Sequence, residues 1–398
     1  MGIYEDLGVR PILNATGSVT RLGGAPMAEE VLQAYAQAAR ESVRMDELQA
    51  AASRIISEVT GAEAGLVTSC AAAGLTLGAA AILAGFDLRR MESLPDGSGF
   101  PDEFVVAREH RNGYDHAVRS AGARFVEVGF DEVRAGAGVR RVEAWEYEAA
   151  FGPGTAGVLY VFNDDSRPPL RDVVARAHAR GLPVLVDAAG ELPPRSNLRD
   201  LVAAGADLVV FSGGKGIRGP QSTGLLCGRR DLIGSAAVQT LDQDDHVELW
   251  DPPAELIDRS RLKGMPRHGL GRAFKVSKEE VVAFLTALRL FAAGTHDREL
   301  PGKRRLLEQI AAGLEGGSVR CSVHIPGNGQ GLPALEIALD EKKLGRSATE
   351  VCRRLRLGTP PIQVGHALLQ EGKLVISPLH LDEERARVLT SRLREELT

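Results

Sequence analysis

The sequence predicts an α/β protein, with a large domain built on a mainly parallel sheet and a smaller C-terminal α+β domain behind it. Three observations lead there. Between about residues 46 and 228 short apolar runs alternate with helical patterns, and strands joined through helices imply parallel crossovers with both sheet faces covered. From about residue 276 the pattern changes to two long helices followed by strand-like segments. The chain's 398 residues, 44% hydrophobic and 25% charged, exceed one common domain and have the composition of an ordinary globular protein.

The elements follow in order. Residues 1–45 read as an N-terminal arm and segment. Residues 46–60, "DELQAAASRIISEVT", place Leu48, Ala52, Ile55, Ile56 and Val59 at helical spacing, and Gly61 stops the helix. The alternation then runs through "GLVTS" and "AAAGLTLGAAAIL", "EFVVA" and "GYDHAVRSAG", "RFVEV", "GVLYVF" and "LRDVVARAHARG", "PVLVDA" and "DLVVF", with "STGLLCG" as one more strand. Residues 46–275 form the large domain. Residues 276–398 hold a linking helix, "VSKEEVVAFLTALRLFAAG", then "PGKRRLLEQIAAGLEGG" and the strands "VRCSVHI", "LPALEIAL" and "KLVISPL". Two long polar stretches, 85–102 and 241–272, read as loops, and loops of that length are often functional.

Composition removes several classes. A net charge of −5 gives no general attraction to nucleic acid or an anionic membrane. The N-terminus is acidic and lacks an apolar core, so no secretory signal is expected, and no window approaches the ~20 apolar residues of a membrane helix. Cys70, Cys227, Cys321 and Cys352 are scattered without a C-x-x-C pair, which signals neither zinc nor disulfides. A cytoplasmic location is expected.

In α/β sheets ligands gather beyond the carboxyl ends of the strands. "PVLVDAAGE" delivers Asp187 to one such end. A carboxylate there suits a pyridoxal-phosphate (PLP) site, because a protonated ring nitrogen makes the cofactor a stronger electron sink. A strand-end aspartate equally serves as a turn or cap. "DLVVFSGGKGIRGPQSTG" carries Lys215 between glycines that let a flat ring approach the backbone. A lysine held there, partly desolvated, acts as an amine nucleophile toward an aldehyde. Solvated surface lysines are the ordinary case, but Lys215 follows Asp187 by 28 positions, room for one helix and one strand. Both then project from the same sheet edge. A third end, "GLVTSCAAAGLTLGAAA", leads through Thr68, Ser69 and Cys70 into a helix whose N-terminus suits a phosphate, although an Ala-rich helix is also simply a buried one.

Two motifs mislead. "GKGIRG" at 214–219 satisfies G-x-G-x-x-G, but Pro220 and a polar loop follow where a dinucleotide fold opens a helix, and no Walker loop fits. "EHRNGYDH" holds His110 and His116 without a third clustered ligand, so no metal is expected. Stacking of His110 or Tyr114 on a flat cofactor is the better reading.

Taken together, "ILNATGSVTRLGGAPM", "TSCAAAGLTL", "VLVDAAGELPP", "SGGKGIRGPQSTGLLCGRRDLI" and "GLGRAFKVSKEEVVAFLTAL" resemble the selenocysteine-synthase-like branch of fold-type I PLP enzymes over nearly the whole chain. Within that branch the last two segments look most like D-glucosaminate-6-phosphate ammonia-lyase-type proteins. The resemblance implies an aspartate-aminotransferase-like fold. It also implies Lys215 as the Schiff-base lysine, Asp187 as partner of the ring nitrogen, and Ser69, Cys70 and Ser212 near the phosphate; Ala71, next in that turn, and His110, by the stacking reading, are further candidates for cofactor contact. Arg218, Arg267, His268 and Arg272 lie in or near the expected site loops as candidates for a substrate carboxylate or phosphate, each with a solvated side chain as the plain alternative. True selenocysteine synthases carry an additional N-terminal tRNA-binding region; here "NATG" begins about a dozen residues in, which argues against a tRNA substrate.

The expected function is a lyase that removes the α-proton of a small amino acid or amino sugar acid, expels a β-substituent and yields a 2-keto acid and ammonia. A racemase or aminotransferase on the same scaffold is the alternative, and a non-catalytic PLP-fold binding module is the alternative of a different class. A homodimer or higher homo-oligomer is expected, with the glycine-rich arm Asn14 to Pro26 and the loop 216–225 as candidates to meet a neighbouring subunit's site.

Overall fold

The computed structural model describes residues 2–130, 140–240, 246–265, 267–314, 316–325 and 331–397. The chain divides into two compact units, Met27–Ala292 and a second made of Met1–Pro26 together with Ala293–Thr398. The strands in chain order are β1 (Leu13–Ala15), β2 (Ala64–Thr68), β3 (Glu103–Ala107), β4 (Arg124–Val128), β5 (Thr155–Val161), β6 (Val184–Asp187), β7 (Leu208–Ser212), β8 (Gly224–Gly228), β9 (Val319–His324), β10 (Ala334–Leu339), β11 (Ile362–Val364) and β12 (Lys373–Ile376).

Among the described residues the large unit carries a seven-stranded sheet in the order β2-β8-β7-β6-β5-β3-β4. Strands β7, β6, β5, β3 and β4 run parallel, and β8 is antiparallel to both its neighbours. Successive side chains point to opposite faces, so Leu208 and Val210 enter one core while Val209 and Phe211 enter the other. Both faces are therefore buried, which explains why these strands read as continuous apolar runs.

The helix Ala71–Ala84 is buried nearly all round. Its small residues let it lie close on the sheet: a methyl group added at Gly78 would stand 2.9 Å from Leu185 Cδ1. The opposite face is covered by Met45–Thr60, Leu170–His178, Asn197–Ala203 and Lys278–Ala292. Lys278–Ala292 buries Val281, Phe284, Leu288 and Phe291 in this core, and accordingly it falls with the large unit, where the sequence reading cut at 275/276. Within the loop read at 85–102, Leu88–Ser93 forms a short helix: Asp87 accepts from the backbone N–H groups of Arg89 and Arg90, and Met91 is buried. Glu29–Ala38 and Ala144–Ala150 are further helices that the periodicity reading passed over. In the stretch 241–272, residues 241–245 and 266 lie outside the described residues. Elsewhere in it Trp250, Leu256 and Ile257 are buried.

In the small unit β12, β10 and β9 form an antiparallel sheet, and β1 pairs in parallel with β11. The first 26 residues belong here because Leu13 and Ala15 share a core with Ile362, Val364 and Ile376. Ser377 also donates its N–H to Ala15 O at 2.9 Å.

Candidate active site

Parallel strands deliver their carboxyl ends to one sheet edge. In register, Asp187 pairs with Val161 and Val210, and Ser212 and Thr68 both pair with Gly224. Three of the predicted strand ends, at Thr68, Asp187 and Ser212, are thereby gathered on that edge.

Asp187 is 7% exposed. Its Oδ1 accepts the Ala189 N–H at 3.0 Å. Burial holds its pKa above the usual carboxylate range, against the downward pull of that N–H and of the Lys215 charge.

Lys215 lies in the connection between β7 and β8. That loop is closed by Gly213 N–H on Thr223 O (2.9 Å), Gly219 N–H on Gly213 O (2.8 Å) and Arg218 N–H on Lys215 O (3.1 Å). Glycine is required at 216, since a side chain there would collide with the Leu192 carbonyl. Lys215 is half-buried, and its amine makes neither a hydrogen bond nor an ion pair among the described residues. A methyl group on Gly190 would stand 3.8 Å from its Nζ.

At the third strand end, Thr68 Oγ1 donates to Cys70 O at 2.8 Å and Cys70 Sγ accepts the Ala73 N–H at 3.3 Å. Gly74 N–H is taken by Cys70 O. The N–H groups of Ala71 and Ala72 are left without intrahelical acceptors, as at any helix start, and Ser69, Cys70 and Ala71 are all partly exposed. Gly224 crosses so close to Cys70 that a side chain there would strike its backbone.

His110 follows β3 in a short 3₁₀ turn and is buried. Its Nδ1 is 3.5 Å from the Tyr147 hydroxyl, and its ring meets Tyr160 edge-on at 4.7 Å between centroids. Its Nε2 is buried with no hydrogen-bond partner. Burial, and secondarily the Arg141 charge, lower its pKa to about 4, so the imidazole is neutral at physiological pH. Tyr114 is exposed.

The arginines divide. Arg218 sits in the Lys215 loop with a left-handed φ of 61°. Arg272 lines a pocket of about 260 Å³ with Thr68, Gln49, Lys275 and Lys278, beside the third strand end. Arg267 and His268 are exposed, on a segment tied down by the Arg267 N–H to Glu92 Oε1 at 3.2 Å. Nothing in that tie brings them to Lys215.

Sequence reasoning passed over Glu191, although it stands in the quoted "VLVDAAGELPP", four residues beyond Asp187. It is half-buried. Burial first, then the charges of Asp164 and Asp187, raise its pKa, and Lys215 opposes them. A strand-tip carboxylate was the signal that could have found it.

A buried carboxylate, an amine without an ion pair, an imidazole with an orphaned nitrogen and a helix start with free N–H groups fit pyridoxal phosphate. They would meet its ring nitrogen, aldehyde, ring and phosphate respectively. No group of three or more metal-ligating side chains occurs among the described residues.

The chain is 30% identical to D-glucosaminate-6-phosphate ammonia lyase of Salmonella typhimurium over 401 residues, covering 99% of this chain and 97% of that one. The chain belongs to that family. The solved structure of D-glucosaminate-6-phosphate ammonia-lyase superposes with a TM-score of 0.80 at 30% identity, covering 100% of this chain and 98% of that one. A 5'-C-glycyluridine monooxygenase-decarboxylase from Streptomyces is also 30% identical, over 98% of this chain and 91% of that protein. The L-seryl-tRNA(Sec) selenium transferase of Rhizobium meliloti is 30% identical over 71% of this chain and 56% of its own length.

The aminotransferase class-V family model matches residues 166–243, the segment that contains Asp187 and Lys215. The fold is aspartate-aminotransferase-like: a Thermus thermophilus aspartate aminotransferase superposes with a TM-score of 0.50 at 16% identity, covering 99% of this chain and 94% of that one. As a member of this ammonia-lyase family in the selenocysteine-synthase-like branch, the chain is a PLP-dependent enzyme. Among the described residues no helix is long and apolar enough to cross a membrane.

Proposed function

We propose that this enzyme is a lyase acting on a 2-amino acid with a hydroxyl on its β-carbon, an amino sugar acid in the first instance, and that it releases a 2-keto acid and ammonia. The observation that carries the reading is the unpaired Lys215 amine facing Gly190 on the edge that also holds buried Asp187, in a chain 30% identical throughout to an amino-sugar-acid ammonia lyase.

Pyridoxal phosphate, when bound, supplies an aldehyde for the substrate's amino group and a conjugated cation that draws electrons from Cα. Lys215 Nζ would hold the cofactor, and as a free amine it is the base for the Cα proton. Asp187 would hold a proton on the ring nitrogen, a contact that burial would strengthen because the local dielectric is low. His110, neutral at working pH, offers a flat face without adding a second cation. Ser69, Cys70 and Ala71, with Ser212, present N–H and hydroxyl groups suited to a phosphate. Arg218 and Arg272 are the better placed of the three candidate arginines for the substrate's anionic groups; exposed Arg267 is the weaker.

The test is to supply pyridoxal phosphate and D-glucosaminate 6-phosphate and to measure 2-keto acid and ammonia. A second reading, oxygen-dependent decarboxylation, is favoured by the equal identity to the monooxygenase-decarboxylase. Elimination proceeds without oxygen. Keto acid formed anaerobically supports the lyase, whereas turnover that consumes oxygen and releases carbon dioxide supports the other.

A further inference from the structure

We propose that Glu191 is the general acid of this site, delivering its carboxyl proton to the oxygen that leaves the substrate's β-carbon. The proposal rests on the lyase reading above and supplies a group that reading lacks. Lys215 accounts for the Cα proton alone, and hydroxide is a poor leaving group at neutral pH unless a positioned acid meets it.

The backbone brings Glu191 to the reacting amine. From Asp187 the chain turns at once: Ala189 N–H binds Asp187 Oδ1 at 3.0 Å, and Glu191 N–H binds Ala188 O at 3.1 Å. Gly190, the residue before Glu191, faces the Lys215 amine. Leu192, the residue after it, has its carbonyl against Gly216, the residue after Lys215. The two segments thus touch on both sides of Glu191.

Its carboxyl group is half-buried, yet it has no hydrogen bond or ion pair among the described residues. The carboxyl group stays accessible in part, so a ligand can reach it without breaking a protein contact. The charged groups around it are Asp164, Asp187 and Lys215; burial and the two aspartates raise its pKa against the pull of the lysine, the direction that suits a proton donor.

The step balances. Lys215 Nζ takes the Cα proton, the electron pair of that bond becomes the Cα–Cβ double bond, and the Cβ–O bond breaks with its pair on oxygen. The Glu191 proton joins that oxygen, and water leaves. Glu191 recovers a proton released by the substrate's ammonium group, Lys215 returns its own to Cβ, and one water displaces ammonia. No oxidant or reductant enters.

Glu191→Gln keeps the shape and removes the transferable proton. The variant is compared with wild type on D-glucosaminate 6-phosphate and on its 3-chloro-3-deoxy analogue, whose chloride departs without a proton. Keto acid from the hydroxyl compound should fall by about 10²-fold or more, while the chloro compound should turn over near the wild-type rate. In the cofactor-free chain with ¹³C-labelled glutamate, one carboxyl resonance should titrate above the ordinary glutamate range. That resonance should be lost in Glu191→Gln and move down in Asp164→Asn. Undiminished elimination of the hydroxyl compound by Glu191→Gln, an equal loss on both compounds, or a resonance titrating in the ordinary range would each overturn the assignment. A wild-type enzyme inactive on both compounds would instead sink the lyase reading and take the proposal with it.

Discussion

Gly190 and Lys215 face each other across the sheet edge, with room for a methyl group between the glycine and the amine and little more: a Cβ on Gly190 would stand 3.8 Å from Nζ. If that amine carries the cofactor, borohydride should fix pyridoxal phosphate on Lys215, as read by peptide mass. Lys215→Ala should abolish both the label and turnover. Gly190→Ala should still take up the cofactor, whereas Gly190→Ile should bind it far more weakly, its branched side chain reaching the space around Nζ. A label on another lysine would overturn the assignment.

Asp187→Asn preserves the shape of the buried side chain and removes its charge. The variant should still bind pyridoxal phosphate, because Lys215 and the turn at Ser69–Ala71 remain. Its turnover should drop by orders of magnitude as the ring nitrogen loses the partner that keeps it protonated. Absorbance titration measures the binding and keto-acid release the rate. Turnover close to wild type would remove Asp187 from the proposed role.

His110 links the site to acid stability. Its folded-state pKa of about 4 lies below the ordinary value of 6.5 because burial disfavours the charged ring. Between those two values the unfolded chain binds the additional proton, so the contribution is fully present above pH 6.5 and is lost as pH falls toward 4. The shift corresponds to about 3 kcal/mol. Urea unfolding of the cofactor-free protein at pH 7 and pH 4 should therefore show a larger loss of stability in wild type than in His110→Gln. Equal losses would count against a buried neutral imidazole.

The functional unit is expected to be at least a homodimer with two equivalent sites related by closed symmetry. A Lys215→Ala chain mixed with a chain altered in the arm Asn14 to Pro26 should regain part of the activity. One composite site would then combine an intact lysine from one chain with an intact arm from the other. Full activity in a species that sediments as a monomer at assay concentration would exclude this.

That Asp187 and Lys215 follow strands ending on one sheet edge was legible in the chain because it depends on local order alone. An apolar run ending in Asp, one helix and a second apolar run ending in Ser-Gly-Gly-Lys can form a parallel crossover, and parallel strands end on one edge. The strand-to-helix turn at Ser69–Ala71 was legible for the same reason, as an apolar run leading directly into a helix of small residues. Which groups share that edge from elsewhere was decided only by tertiary structure. Nothing in "STGLLCG" shows that it runs antiparallel between β2 and β7 and carries Gly224 against Cys70. Nothing near Leu13 announces Ile362 as its partner. Glu191 was hidden in the same way. Its four-residue distance from Asp187 is visible, but its approach to Lys215 comes from the fit of Leu192 on Gly216 and of Gly190 under the amine. Such contacts join segments through shape and leave no periodic trace in either one, so only the packed chain brings the second acid to the lysine.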